Sequence, residues 1–248
     1  MSKLRKYEHR IRKYKEKLKK FVIRIGLSYS EEFELYDETL TQLILPCHIG
    51  ILFYGDFSNK LFDYIKSHIR QTFDSFFFDI RNLGKFDFSK DLFSKGIKKE
   101  FKEQKKINEE FGIHPTNKFY QVLIDKRVEE KLGMIISITD LPIYSSNDDN
   151  IIFLFGETHL KHRCCIVSTF KLKEQLYNRQ RNTSLFLQRV VKEVLHEIGH
   201  LLLDSEHCES KFCIMRFSNR IEEIDEKSLK LCKECEKKLS NVREKYNF

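Results

Sequence analysis

Apolar side chains at Leu4, Tyr7, Ile11, Tyr14, Leu18, Phe21 and Ile25 recur every three or four residues, which predicts a helix over residues 1–25 with one apolar seam and a basic remainder. From Leu43 the run LILPCHIGILFYG is apolar enough for a buried strand, and after the turn-like residues 55–59 helical periodicity extends over residues 60–78. Residues 90–111 are charged and read as a surface helix or an insertion. Residues 119–132 fit a helix and residues 133–144, GMIISITDLPIY, a strand; past the polar break SSNDDN, residues 151–156 and 164–172 read as two more strands. Residues 182–184 offer capping side chains for a helix that continues through LFLQRVVKEVLHEIGHLLL. Strands and helices alternate ahead of that helix, which places the chain in the α/β or α+β class.

At 248 residues the chain is long enough for one large domain or two closely packed lobes. Its net charge of +8 is concentrated at one end. Residues 1–25 hold eleven Lys and Arg against Glu8 and Glu16, so the rest of the chain is close to neutral. A neutral body argues against nucleic-acid binding, and leaves the basic helix to dock on the body, pair with a partner helix or meet an acidic surface. The amino terminus lacks the apolar run of about 7 to 15 residues that export needs, and no stretch approaches the roughly 18 apolar residues of a transmembrane segment. Seven cysteines, four of them in metal-like spacings, favour a reducing intracellular compartment, cytoplasmic or nuclear.

Candidate chemistry lies in the HEIGH segment. His196 and His200 are four residues apart, so on a helix both imidazoles project from one face and can reach one metal ion. Glu197 lies beside the first ligand but points aside, where it can take a proton from zinc-bound water, whose pKa falls to about 7, and pass it to a leaving amine. Val190, Val191, Val194 and Leu195 make the flanking turns apolar, as a buried catalytic helix requires. Downstream, Cys208 and Cys213 form one pair and Cys232 and Cys235 another. Four thiolates so spaced suit a closed, structural zinc site, with unrelated buried or redox-active thiols as the alternative. Cys47, Cys164 and Cys165 read as small buried apolar residues.

The segment HEIGH…HCESKFCIMRFSNRIEEIDEKSLKLCKEC resembles the archaemetzincin signature, and weaker likeness extends upstream through ITDLPIY, FLFGE and IVSTFKL, so that it covers roughly residues 120–240. The resemblance implies a metzincin-like α/β fold with a mixed twisted sheet. With the basic amphipathic helix (1–30) set apart by its periodicity and charge, the rest of the chain divides into an amino-terminal α/β lobe with the zinc-binding helix (40–203) and the small carboxyl-terminal lobe (204–248) that the resemblance implies. The resemblance further implies that His196, His200 and His207 ligate a catalytic zinc, that Glu197 is the general base and acid, and that Met215 lies beneath the metal. Cys208, Cys213, Cys232 and Cys235 would hold a second, structural zinc.

One departure stands out. The family pattern HExxHxxGxxH places a glycine where this chain has Leu203, and the third histidine falls one residue late, with Glu206 at its expected position. His207 is the preferred third ligand because its spacing to Cys213 and Met215 fits the family, Asp204 could supply the left-handed turn, and Glu206 stays open as an oxygen ligand. The leading expectation is a zinc-dependent metallopeptidase acting on peptides or proteins, with a lean toward an aminopeptidase. The alternative is a catalytically silent metzincin scaffold whose four-cysteine zinc supports protein binding.

Overall fold

The computed structural model describes residues 27–28, 43–86, 97–99, 111–145, 153–204 and 207–248. The helix expected over residues 1–25, most of the charged stretch 90–111, and Glu206 lie outside these residues.

A six-stranded sheet forms the middle layer, in the spatial order Leu27–Ser28, Gly156–His159, Cys164–Ser168, Met134–Thr139, Cys47–Tyr54, Phe77–Lys85. Its strands are β1 (Leu27–Ser28), β2 (Cys47–Tyr54), β3 (Phe77–Lys85), β6 (Met134–Thr139), β8 (Gly156–His159) and β9 (Cys164–Ser168). Strands β3, β2, β6 and β9 run parallel, while β8 pairs antiparallel with β9 and carries β1 on its outer edge. A smaller sheet joins β4 (Ile97–Lys99), β5 (Phe111–Pro115) and β7 (Ile143–Tyr144). The helices are α1 (Asn59–Thr72), α2 (Asn117–Glu129), α3 (Thr183–Leu203), α4 (Ile221–Glu226) and α5 (Lys233–Tyr246).

Alternate side chains of the parallel strands enter different cores, as the two-residue period of a strand demands. Ile49, Ile51 and Phe53 of β2, Met134, Ile136 and Ile138 of β6, and Cys165 and Val167 of β9 pack with α1 and α3. Leu52, Ile135, Cys164 and Ile166 pack on the other face with Phe119, Tyr120, Leu123 and Ile124 of α2. The larger core also takes in Ile214, Met215, Ile221, Ile224 and Leu239. A mixed α/β architecture is therefore what the chain adopts.

Several predicted boundaries move, each for a local reason. The helix expected to reach residue 78 stops at Thr72. Phe73 and Phe76 continue a helix-compatible spacing, but Ser75 takes a positive φ of 69° and redirects the chain into β3. The strand expected over 133–144 splits at Leu141–Pro142: β6 stays in the large sheet and β7 joins the small one. Residues 153–155 contribute only an isolated bridge between Leu154 and Ile143, and β8 begins at Gly156 instead of ending there. β9 ends at Ser168, with short 3-10 turns following at Phe170–Leu172 and Glu174–Tyr177.

Helix α3 is the axis of the molecule. Asn182 caps it by accepting a hydrogen bond from the Leu185 N–H at 3.0 Å, and residues 189–202 are buried without a break. That burial includes charge, so partners are required. Arg189, 0% exposed, donates to both carboxylate oxygens of Asp225 at 2.7 and 2.6 Å and to the Leu172 carbonyl at 3.0 Å, and pairs with Glu174. Lys192 donates to the carbonyls of Ile224 and Asp225, and Lys227 reaches Glu193 at 3.3 Å. These contacts dock α4 and the 3-10 segment on α3.

Burial also lowers the imidazole pKa of His114 and of His162 to about 4, with neighbouring positive groups adding to the effect. A depressed folded-state pKa favours the neutral form, so both histidines contribute stability above about pH 6.5 that is lost as the pH falls toward 4. Because other buried groups titrate in the same range, the check is differential: replacing His114 and His162 by Gln should lessen the fall in thermal midpoint between about pH 6.5 and 4 relative to the wild type, and an equal fall in both proteins would contradict this.

Candidate active site and metal centres

His196 and His200 project from one face of α3, and the chain beyond the helix brings a third imidazole to them. Asp204 ends α3 in the left-handed region (φ 45°, ψ 39°), with its N–H bonded to the His200 carbonyl at 3.0 Å. The αL position expected at residue 203 is thus taken by Asp204, whose short polar side chain tolerates it. The ring centroid of His207 then lies 5.2 Å from that of His196 and 4.7 Å from that of His200. The Nε2 atoms of His196 and His200 are 3.1 Å apart, and one nitrogen from each of the three rings falls within a 4.8 Å group. Phe217 packs edge-on against His207 at 5.1 Å.

The donor chemistry suits a cation. His196 Nδ1 donates to the Ile214 carbonyl at 2.8 Å, which leaves the lone pair on Nε2, the atom facing His200. Burial pushes the His196 pKa well below its usual value, and the positive fields of Lys227, His200 and His207 act in the same direction, so the ring is held neutral and able to ligate.

Glu197 points to a different neighbour. Its carboxylate accepts a hydrogen bond from the Thr158 hydroxyl at 2.6 Å, on strand β8. Burial raises its pKa well above the carboxylate range; the Thr158 bond works against the rise, Glu193 adds to it and Lys227 offsets part of it.

Cys208, Cys213, Cys232 and Cys235 bring their sulfurs into a second group, again within 4.8 Å of one another. The Sγ atoms of Cys208 and Cys232 are 3.6 Å apart, far from the roughly 2.05 Å of a disulfide. A tetrahedron with Zn–S bonds of about 2.3 Å has edges of about 3.8 Å, so the four thiols fit zinc. Backbone N–H groups of Ser210 and Cys232 point at Cys208 Sγ (3.4 Å) and Cys213 Sγ (3.3 Å). Burial disfavours the Cys232 thiolate, but hydrogen bonds from the Cys235 backbone and the neighbouring thiols prevail and bring its pKa to about 7.

The two centres share one stretch of chain. Within residues 207–217, His207 and Cys208 are adjacent, Cys213 precedes the Ile214 carbonyl that holds His196, and the Cys208 N–H donates to the Met215 carbonyl at 2.8 Å. Met215 is buried against α3, with its sulfur over Gly199. The structure brings together the histidines and cysteines that the sequence singled out, whereas the sequence pattern did not point to Thr158, Gly199 or Arg189. Glycine inside a helix at the middle of HEIGH was the available signal for Gly199; charges at 189, 192 and 193 among apolar turns were the signal for buried ion pairs.

Comparison with known proteins adds ancestry to this geometry. A model of peptidase family M54 matches residues 49–241. An archaemetzincin of Methanocaldococcus jannaschii is 37% identical over 123 residues, covering 50% of this chain and 66% of that protein. One from Saccharolobus solfataricus is 35% identical over 136 residues, covering 52% and 73%. Solved structures share the fold: an archaemetzincin from Methanopyrus kandleri superposes with a TM-score of 0.56 at 19% identity, covering 79% of this chain and 95% of that one. A zinc-dependent peptidase from Methanocorpusculum labreanum gives 0.58 at 19% identity over 77% and 99%.

A Cβ at residue 199 would overlap the Met215 sulfur and lie 3.0 Å from its methyl carbon. Gly199→Ala should therefore destabilise the protein by about 1–3 kcal/mol through overpacking, against the usual gain from alanine in a helix. A denaturant melt reads this directly, and a stabilised variant would show that Met215 does not press on the helix.

Proposed function

The chain belongs to peptidase family M54, a family of zinc-dependent peptidases, and we propose that it hydrolyses peptide bonds at the three-histidine centre, with Glu197 as general base and then general acid. The observation that carries this reading is the convergence of His196, His200 and His207 beside a buried carboxylate on the same helix.

Under this reading His196, His200 and His207 hold a catalytic zinc, and the Ile214 carbonyl orients the first of them. Zinc in such a site supplies Lewis acidity, polarising a peptide carbonyl and acidifying a water. Glu197, one residue beyond His196, is offset from the imidazoles and so is placed to move protons instead of ligating. It takes a proton from the attacking water and delivers it to the leaving amine. Met215 closes the floor under the helix. Cys208, Cys213, Cys232 and Cys235 hold a second zinc, closed to substrate, which staples the segment carrying His207 to the start of α5.

The substrate class is a peptide or protein, and trimming of an amino terminus is the finer assignment. Among the described residues no helix is long and apolar enough to cross a membrane. Four thiols committed to a metal suit a reducing, intracellular setting, cytoplasmic or nuclear. Support for an enzyme over a silent scaffold comes from Asp204 and His207: the turn that lacks the expected glycine still delivers a third imidazole.

Metal analysis of the purified chain should return about two zinc per chain, falling to about one when Cys232 and Cys235 are both replaced by serine. Glu197→Gln should retain both ions and lose at least about 100-fold in turnover, because proton transfer alone contributes on that order. Mass spectrometry of a digested peptide mixture measures turnover and separates terminal trimming from internal cleavage. Undiminished hydrolysis by Glu197→Gln would rule out the assigned role.

A further inference from the structure

Strand β8 is polar in sequence, Gly-Glu-Thr-His, yet every residue in it is buried. Its two faces have different partners. Glu157 and His159 turn toward α2, where the Tyr120 hydroxyl donates to Glu157 Oε1 at 2.6 Å and the Tyr120 and His159 rings meet at 5.1 Å. Gly156 and Thr158 turn toward α3 and Glu197.

Those two residues form a seat for one carboxylate. The Thr158 hydroxyl lies 2.6 Å from Glu197 Oε2 and 3.2 Å from the Glu197 carbonyl oxygen; it has one proton, and the shorter contact takes it. A Cβ on residue 156 would overlap Glu197 Oε1 and lie 2.8 Å from Cδ and 2.9 Å from Cγ, so the carboxylate rests on the bare face of a glycine. A glutamate's terminal torsion is broad and roughly two-fold, so the carboxylate needs such a contact to be held in one orientation. The seat itself is fixed from both sides, by the register of Thr158 with Cys165 on β9 and by the Tyr120 bond behind it.

We propose that Thr158 is a positioning residue for Glu197: its hydroxyl holds Oε2, Gly156 makes room for the carboxylate, and together they fix the plane in which the carboxyl group sits on α3. The proposal rests on the reading of Glu197 as the general base. It assigns to β8 a part in the reaction that the metal-ligand pattern does not contain. Thr158 touches no reacting atom and acts only through Glu197.

The test compares Thr158→Val, Thr158→Ser, Gly156→Ala and Glu197→Gln in the zinc-loaded full chain, using one peptide that the wild type cleaves. Valine keeps the shape of threonine without the hydroxyl. Thr158→Val should keep its zinc content, its rate of zinc release to a chelator and its KM, while kcat falls about 10- to 100-fold, the size of effect expected from a misplaced catalytic group. Thr158→Ser should recover to within about threefold of wild type, since it restores the donor. Gly156→Ala, which leaves the hydroxyl in place, should lose kcat by displacing the carboxylate, and it carries the test alone if the valine variant fails to fold.

Wild-type kcat in Thr158→Val, or in Gly156→Ala, overturns the positioning role. So does a serine variant as slow as valine, or a loss that follows zinc or KM instead of kcat. Full activity in Glu197→Gln overturns the reading of the base and the proposal with it, whereas an inactive Glu197→Gln beside a fully active Thr158→Val removes the positioning role alone.

Discussion

The hydrogen bond from His196 Nδ1 to the Ile214 carbonyl, 2.8 Å long and wholly buried, is the contact on which the arrangement depends. It does two things at once. Chemically, it places the ring proton on the nitrogen away from His200 and leaves a lone pair facing the other imidazoles, as an N-donor site for a cation requires. Mechanically, it ties the middle of α3 to a residue that sits between Cys213 and Met215. The four-cysteine group therefore does not merely decorate the end of the chain. His207 and Ile214 flank the span Cys208–Cys213, so the two groups of donors draw on one stretch of chain.

Burying charge along the same helix is the second constraint. Arg189, Lys192 and Glu193 would each be costly inside a protein without partners, since an unpaired buried charge costs several kcal/mol. All three have them, in Asp225, Glu174, the carbonyls at 224 and 225, and Lys227. Such pairs contribute little net stability beyond what apolar side chains would give. What they add is direction: a bidentate guanidinium–carboxylate contact admits one docking of α4 on α3, and thereby one approach of the 207–217 segment to the histidines. Lys227, fully buried beside Glu193, adds its positive charge to the burial that lowers the His196 pKa and offsets part of the burial that raises that of Glu197.

What was legible in the chain and what was not follows from the range of the interactions. The helix carrying His196 and His200 could be read with its cap, because Asn182, the apolar flanks and the four-residue spacing are all local signals. The cysteine pairs were legible for the same reason. Strand β8 was not: its residues are polar, and their burial depends on Tyr120, some 37 positions earlier in the chain, and on Glu197, about 40 positions later. Periodicity could not find it, since a polar residue satisfied by a distant partner looks like a surface residue. The overlong helix prediction failed differently. Phe73 and Phe76 fit both a continued helix and a turn into β3, and only the positive φ of Ser75 separates the two.

The displaced third histidine shows which property of a ligand motif is physically required. A metal site needs donor atoms that converge, and sequence spacing matters only as far as it produces that convergence. A glycine seven residues after the first histidine is one way to end the helix in a left-handed residue and send the chain back. Here α3 runs through Leu203, Asp204 adopts the left-handed conformation one position later, and the histidine is also one position later. The two shifts match, so the distance from the left-handed residue to the histidine is the same three residues that separate glycine from histidine in HExxHxxGxxH. Because one residue on a helix is a rotation of about 100°, such a shift must also re-aim the returning chain. His207 nonetheless arrives within 5.2 Å, centroid to centroid, of both partner rings. The re-aiming falls to the contacts that fix the far side of the loop: Cys208 bonded to Met215, Met215 seated over Gly199, and Phe217 set edge-on against the His207 ring.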